Sequence, residues 1–280
     1  LKLIRNFNSD YKISEPEKIK LPTEADFEKY LIVEANDEEN SLLTSYQVKK
    51  TLNYMKKDYT SINCNEALNE LAEYDCIMFT FERLDKIKDI NVYIDYVKYG
   101  GSLIILSRPV ADKTFKEVSS LLGIESFSES LYKFKGIKML SDIMIGANGF
   151  KSNLDMFNNS SIKVKLSNNT KVYLTSYDGN PLLWDTDYFK GKFIVFNGTM
   201  LNEKINRGLI CSIISLGKPD LIYPIMNIKM VHIDDFPAPI PSGINEQIYN
   251  EFSRNIPQFY REVWWPDMLR LATIYDIKYT

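Results

Sequence analysis

The sequence is poor in the residues that make covalent or metal cross-links. It has 3 cysteines, Cys64, Cys76 and Cys211, far apart and odd in number, and 1 histidine, His232. No CxxC pair and no Cys/His cluster occurs, so neither a disulfide framework nor a structural zinc site is expected, and the compartment stays open on this ground. No window reaches the roughly 18–20 uninterrupted apolar residues that span a bilayer. An excess of basic charge is also missing: 34 Lys+Arg stand against 37 Asp+Glu, for a net charge of -3. Without a basic stripe interleaved with aromatics, nucleic acid is not an expected partner. No GxGxxG or P-loop is found, so Gly100-Gly101 reads as a turn and not as a phosphate cradle.

What is present is the composition of a globular protein: 45% apolar and 25% charged residues in a chain of 280, enough for one large domain or two ordinary ones. The 18 tyrosines suit carbohydrate contact and an ordinary core equally well. The chain opens on Leu1 and stops at Thr280 within a strand-like run, as expected of a mature form or an excised piece.

Residues 1–27, polar with Pro16 and Pro22, read as an N-terminal arm. From 28 to 218 the pattern is that of one α/β domain. Tyr30–Ala35, Tyr59–Cys64, Cys76–Phe81 and Leu103–Leu106 read as buried strands. Between them, helices are expected over Ser41–Lys56, Ala67–Leu71 and Ile90–Lys98. The first has Asn40 or Ser41 as cap and a stripe of Leu42, Leu43, Tyr46, Leu52 and Met55 facing the core. Strands separated by helices imply a parallel, doubly wound sheet. Lys135–Met144, Ser161–Leu166 and Lys171–Ser176 alternate with period two and predict an antiparallel β insertion. Lys192–Gly198 then returns as a buried strand, and a helix over Glu203–Leu216 closes the sheet. Residues 219–224 are a linker, and 225–280 form a second region.

The chemistry concentrates in Met230-Val231-His232-Ile233-Asp234-Asp235-Phe236-Pro237-Ala238-Pro239, an apolar run ending in two adjacent carboxylates. Neighbouring like charges resist burial, and a divalent cation is the commonest use for them, because it turns repulsion into attraction. The plainer account is a solvated loop with capping carboxylates. His232 is either a satisfied core histidine or a metal ligand. Trp264 and Trp265 are either a sugar-stacking platform or the plug at a helix start. Glu82, Arg83 and Asp85 follow a strand where α/β sheets bind ligands, with a loop salt bridge as the ordinary alternative.

Two stretches carry family resemblances. Tyr74–Phe79, the helix ending Tyr96-Val97-Lys98-Tyr99-Gly100-Gly101, Ser102–Leu106 and Gly191–Gly198 make the first domain resemble the class I glutamine-amidotransferase-like fold, especially the middle domain of some bacterial β-galactosidases. Active members place a nucleophilic Cys in a Gly-flanked elbow after a central strand. Here Glu82-Arg83-Leu84-Asp85 follows Phe81, so the resemblance implies a non-catalytic scaffold or binding module, with Cys64 and Cys76 as small buried residues.

From about Ile225, His232-Ile233-Asp234-Asp235, with Pro266–Leu271 and Ile274–Thr280, resembles the opening β-α-β portion of a NodB-like polysaccharide deacetylase barrel. Together with Asp-Asp-Phe-Pro-Ala-Pro, the whole resembles the bacterial domain-of-unknown-function family 2194. The expected fold is therefore a flavodoxin/glutamine-amidotransferase-like α/β domain followed by the start of a (β/α) barrel. Residues 240–263 would be an insertion over its rim.

The resemblance implies Asp234 as general base and Asp235 as ligand to a divalent metal such as zinc; from the residues themselves His232 is a further candidate ligand, and Phe236, Trp264 and Trp265 are candidate substrate contacts. It also implies an N-acetylated polysaccharide as substrate and an extracytoplasmic location in a bacterium. The family's His pair, spaced by three residues, has no counterpart here, so the 280 residues alone are expected to be inactive. A glycan- or partner-binding surface module with a degenerate barrel is the alternative. Oligomeric state is not legible.

Overall fold

The computed structural model describes residues 28–66, 70–153, 159–222, 233, 238–275, 277 and 279. The chain divides into two compact units, Leu1–Ile225 and Met226–Thr280.

Unit one is built on a mixed nine-stranded sheet. Its parallel half comprises β1 (Lys29–Glu34), β2 (Asp58–Asn63), β3 (Cys76–Phe79), β4 (Ser102–Ile105) and β11 (Gly191–Phe196) in the order β2-β1-β3-β4-β11. The central strands are continuous apolar runs because helices cover both faces. Period-two alternation sorts their side chains. Tyr30, Ile32, Met78, Ile104 and Ile194 pack on one face with Val48 and Leu52 of helix α1 (Glu39–Met55) and with Ile210 and Ile213 of α4 (Arg207–Gly217). Leu31, Val33, Ile77, Phe79, Leu103 and Val195 pack on the other with Tyr93 and Val97 of α2 (Asn91–Lys98) and with Phe115 and Val118 of α3 (Lys113–Val118). Helix α2 ends as expected on Gly100, whose φ of 122° is open only to glycine. The Gly100 and Gly101 amides close the turn on the carbonyls of Val97 and Tyr96.

Helix α1 departs from its sequence reading. Its buried stripe is Ser41, Thr44, Ser45, Val48 and Leu52, while Leu42, Leu43 and Tyr46 are exposed. Glu38 is the cap residue, without a capping side chain, and Asn40 and Ser41 are spent elsewhere. The cause is position. The first two turns lie over a polar crevice rather than over the apolar middle of the sheet.

The predicted antiparallel insertion is instead mostly an extension of the same sheet. Strands β10 (Pro181–Tyr188), β9 (Thr170–Ser176), β6 (Ile137–Met139) and β7 (Lys151–Ser152) continue outward from β11, each antiparallel to its neighbour. β5 (Ile124–Phe134) and β8 (Asn159–Leu166) form a separate two-stranded ribbon. β10 is hard to see in sequence because residues 182–186 are all buried, so alternation is lost. Its Trp184 is fully enclosed, the indole N–H donating to the Leu122 carbonyl at 2.8 Å. Asp185 is held by the Tyr173 hydroxyl at 2.9 Å and the Lys192 ammonium at 3.2 Å.

The helix expected from Glu203 begins only at Arg207, after short 3₁₀ turns at Met200–Asn202 and Lys204–Asn206. The expected helix at Ala67–Leu71 lies largely on residues outside those described, and Leu71 itself is not helical.

Unit two contains α5 (Glu246–Phe252), α6 (Ile256–Phe259), a π-helical turn (Tyr260–Trp264) and α7 (Trp265–Tyr275). Asn255 and Gln258 form a reciprocal capping box at the start of α6. The stretch read as a rim insertion is thus largely helical. Ile274 and Tyr275, expected in a strand, end α7 instead, because the apolar spacing of Leu269, Ala272 and Tyr275 continues the helical period. The anticipated first barrel strand lies outside the described residues apart from Ile233. Among the described residues of this unit none is buried.

Candidate functional site

In open α/β sheets, ligands bind beyond the carboxyl ends of the parallel strands. In unit one that crevice holds a network of polar side chains, in which the buried Arg108 Nε alone of the guanidinium nitrogens has no partner among the described residues. Arg108, three residues past Ile105 at the end of β4, is 8% exposed. Its guanidinium pairs with Glu82, which follows β3, and donates to the Ser160 hydroxyl of β8 at 2.5 Å. Asn40, at the start of α1, donates from one amide nitrogen to Glu82 at 3.1 Å and to Ser107 at 2.9 Å. The Asn40 carbonyl oxygen accepts from Asn202 at 3.0 Å. Below them the Ser41 hydroxyl accepts from the Ala35 amide at 2.9 Å and lies 3.1 Å from the Thr80 hydroxyl. The Glu38 carboxylate accepts from the Glu82 amide at 2.9 Å.

The network leaves no nucleophile at the turn after β3. Thr80 is fully buried and donates to the Val33 carbonyl, and Glu82 is ion-paired. Of the loop group expected there, Arg83 and Asp85 form a salt bridge at 2.6 Å, and the arginine hydrogen bond holds the Asp85 carboxyl below its ordinary range. The cysteines offer no substitute. Cys64 lines a depression of about 330 Å³ with Asn36, Asp37, Asn63, Asn65 and Lys86. Burial raises its thiol, and it raises Cys211 to about 11 and Cys76 further still. All three are free and buried. They are expected to resist iodoacetamide at pH 7 in the folded chain and to label fully in urea, as counted by mass spectrometry.

Glu34, at the end of β1, is tied to helix α1 through Ser45 and Lys49. Burial pushes its carboxyl up, but hydrogen bonds from Lys49, at 2.7 Å, and from Ser45 outweigh it and leave the group below its usual range. A depressed carboxyl stabilises the fold above the unfolded-state pKa of about 4.3 and loses that contribution as pH falls through the folded value. Glu34→Gln is therefore expected to lower stability by about 1–2 kcal/mol at pH 7 and to flatten the loss below about pH 4, read from urea melts across pH.

A second concavity, about 710 Å³, lies at the opposite, amino-end edge of the sheet. It is lined by Tyr74, Asp75, Asp95, Tyr96, Tyr99 and the segment Gly217–Asp220, among others. Sequence reasoning missed it entirely. It also missed Arg108 and Asn202, and took Asn40 only as a helix cap, although the rule that singled out Glu82, polarity directly after a buried strand, applies equally to Ser107-Arg108.

Of the residues expected from the acidic motif, His232, Asp234, Asp235 and Phe236 lie outside the described residues. Trp264 and Trp265 sit side by side, ring centres 6.0 Å apart, at the junction of the π turn and α7, and Tyr260 packs on Trp264 at 5.4 Å. Both are partly buried. Among the described residues no group of three His, Cys, Asp or Glu could hold a metal. With His232 the chain's only histidine, a donor set needing two further histidines is not completed by these residues. No helix among the described residues is long and apolar enough to cross a membrane.

Fold and crevice together define the first unit as a doubly wound α/β domain, with an antiparallel extension, whose own side chains occupy the crevice beyond β3 and β4. The chain belongs to the bacterial family described as "Uncharacterised protein conserved in bacteria (DUF2194)", which matches residues 16–174 and 150–280. Comparison with curated proteins gives no match. Among solved structures it is similar to a protein described as ThuA-like from Parabacteroides merdae (11% identity, TM-score 0.48, covering 62% of this chain and 84% of that one). It is also similar to a β-galactosidase from Rahnella sp. R3 (13%, 0.47, 69% and 31%) and to an exo-β-1,4-mannosidase from Opitutaceae bacterium strain TAV5 (13%, 0.44, 69% and 35%). The chain thus spans about a third of the length of those two glycosidases.

Proposed function

We propose that this chain is part of a polysaccharide de-N-acetylase-like protein of bacterial cell-surface or exopolysaccharide metabolism, acting outside the cytoplasm. Unit one serves as its non-catalytic module. The observation that carries the reading is the make-up of the crevice beyond β3 and β4. Arg108, Glu82, Asn40 and Ser107 are tied to one another, no nucleophile stands after β3, and an amidotransferase-type reaction lacks its attacking group there. Chemistry then falls to the acidic pair, with Asp234 as the group that takes a proton from the attacking water and Asp235 as a ligand to a divalent ion. Because this chain supplies one histidine, that ion's site needs donors from beyond these residues, and the 280-residue piece is inactive by itself.

Acetate release from N-acetylglucosamine oligomers by the complete gene product, with zinc or cobalt and then with chelator, tests the proposal. Release that chelation abolishes supports it. Its absence with every metal, in a folded product, defeats the enzymatic reading and favours a glycan- or partner-binding module.

A further inference from the structure

The amino-edge cleft of unit one has the size of a small-ligand site, within the usual range of roughly 300–1,000 Å³. Its charge is one-sided. Among its described lining residues Asp75, Asp95 and Asp220 stand against one ammonium, Lys218, which already lies 3.2 Å from Asp75 and 3.4 Å from Asp220, with the Lys98 ammonium near its rim at Tyr99. The Asp95 carboxylate has no hydrogen-bond or ion-pair partner among the described residues. Two helices, α2 and α4, both end at the cleft, and helix carboxyl termini carry partial negative charge. Anionic ligands are therefore disfavoured, and a cation carrying hydroxyl groups is favoured.

The aromatic part is as specific. Tyr96 lies against the backbone of Gly101, where a β-carbon would come within 2.2 Å of its ring, and its hydroxyl donates to the Tyr74 carbonyl at 2.9 Å. That side chain is fixed. Tyr99, next to it at the helix end, is 75% exposed, and among the described residues the Lys98 ammonium lies 6.0 Å from its ring centre. A large exposed ring beside an unpaired carboxylate presents an apolar face for a sugar's C–H groups and an electron-rich face for an ammonium.

We propose that this cleft binds an oligosaccharide bearing free amines, its ammonium groups set against Asp95 and the helix ends and one ring stacked on Tyr99. The choice of an amino sugar over other hydroxylated cations rests on the proposed function, since de-N-acetylation yields such a product. Product held here would keep the module on the stretch of polymer already processed.

The test is calorimetric titration of the chain with a glucosamine tetramer, an N-acetylglucosamine tetramer and a linear tetraamine. The glucosamine tetramer is expected to bind at least about tenfold tighter than either of the others, from ammonium–carboxylate and ammonium–ring contacts added to stacking. Asp95→Asn and Tyr99→Ala should each weaken it about fivefold. Both side chains are exposed, so the urea midpoint should not move. Equal binding of acetylated and free tetramers, equal binding of the tetraamine, no binding at all, or unchanged affinity in both variants would each overturn the proposal. The titration involves no hydrolysis. A gene product that releases no acetate leaves it standing, and its own failure leaves the acetate result untouched.

Discussion

Replacing Arg108 by alanine is expected to lower the unfolding free energy of unit one by roughly 3–5 kcal/mol, a large part of what a domain of this size possesses. Removing the guanidinium strands the Glu82 carboxylate beneath α1, where Asn40 alone still donates to it, and frees the Ser160 hydroxyl. An unpaired buried charge is far more damaging than a missing pair. The double variant Arg108→Met with Glu82→Leu should therefore regain most of the loss, although it removes more polar contacts. Urea denaturation of both proteins decides it. If the double variant is no more stable than the single one, the pair is not the keystone of the crevice.

The second large effect is on chemistry. In the complete gene product, Asp234→Ala is expected to reduce the rate of acetate release about 10²–10⁴-fold, the usual contribution of a general base. Asp234→Asn should do nearly the same, because the amide keeps the shape and loses the basicity. An unfolding midpoint equal to the parent's would show that the loss is not structural. Unchanged release in either variant would remove Asp234 from the reaction.

Much of the first unit was readable in the residues. β1, β3, β4 and β11 are apolar runs bounded by turns, and Gly100 marks the end of α2 by its left-handed backbone. Failures came where burial and polarity coincide. Helix α1 turns Ser41, Thr44 and Ser45 inward, so a reading that equates inside with apolar selects the wrong face. β10 hides because both its faces are covered and Asp185 is among its buried residues. The crevice was half legible: Glu82 stood out at a strand end, but its partners are residues 40 and 108, Arg108 in turn reaches the β8 ribbon, and only the folded sheet brings them together. The amino-edge cleft had no signature at all, since its tyrosines and aspartates are contributed by separate turns.

The position of β11 bears on how the chain is made. It sits between β4 and β10, yet it is synthesised some 86 residues after β4 ends, at 191 against 105. A ribosome extruding the chain would therefore leave one flank of β4, with its Leu103-Ile104-Ile105 run, open for seconds, at roughly 5–20 residues per second, before its partner emerges. Non-local pairing of this kind folds slowly. Nascent-chain chaperones should therefore matter to the yield of this chain.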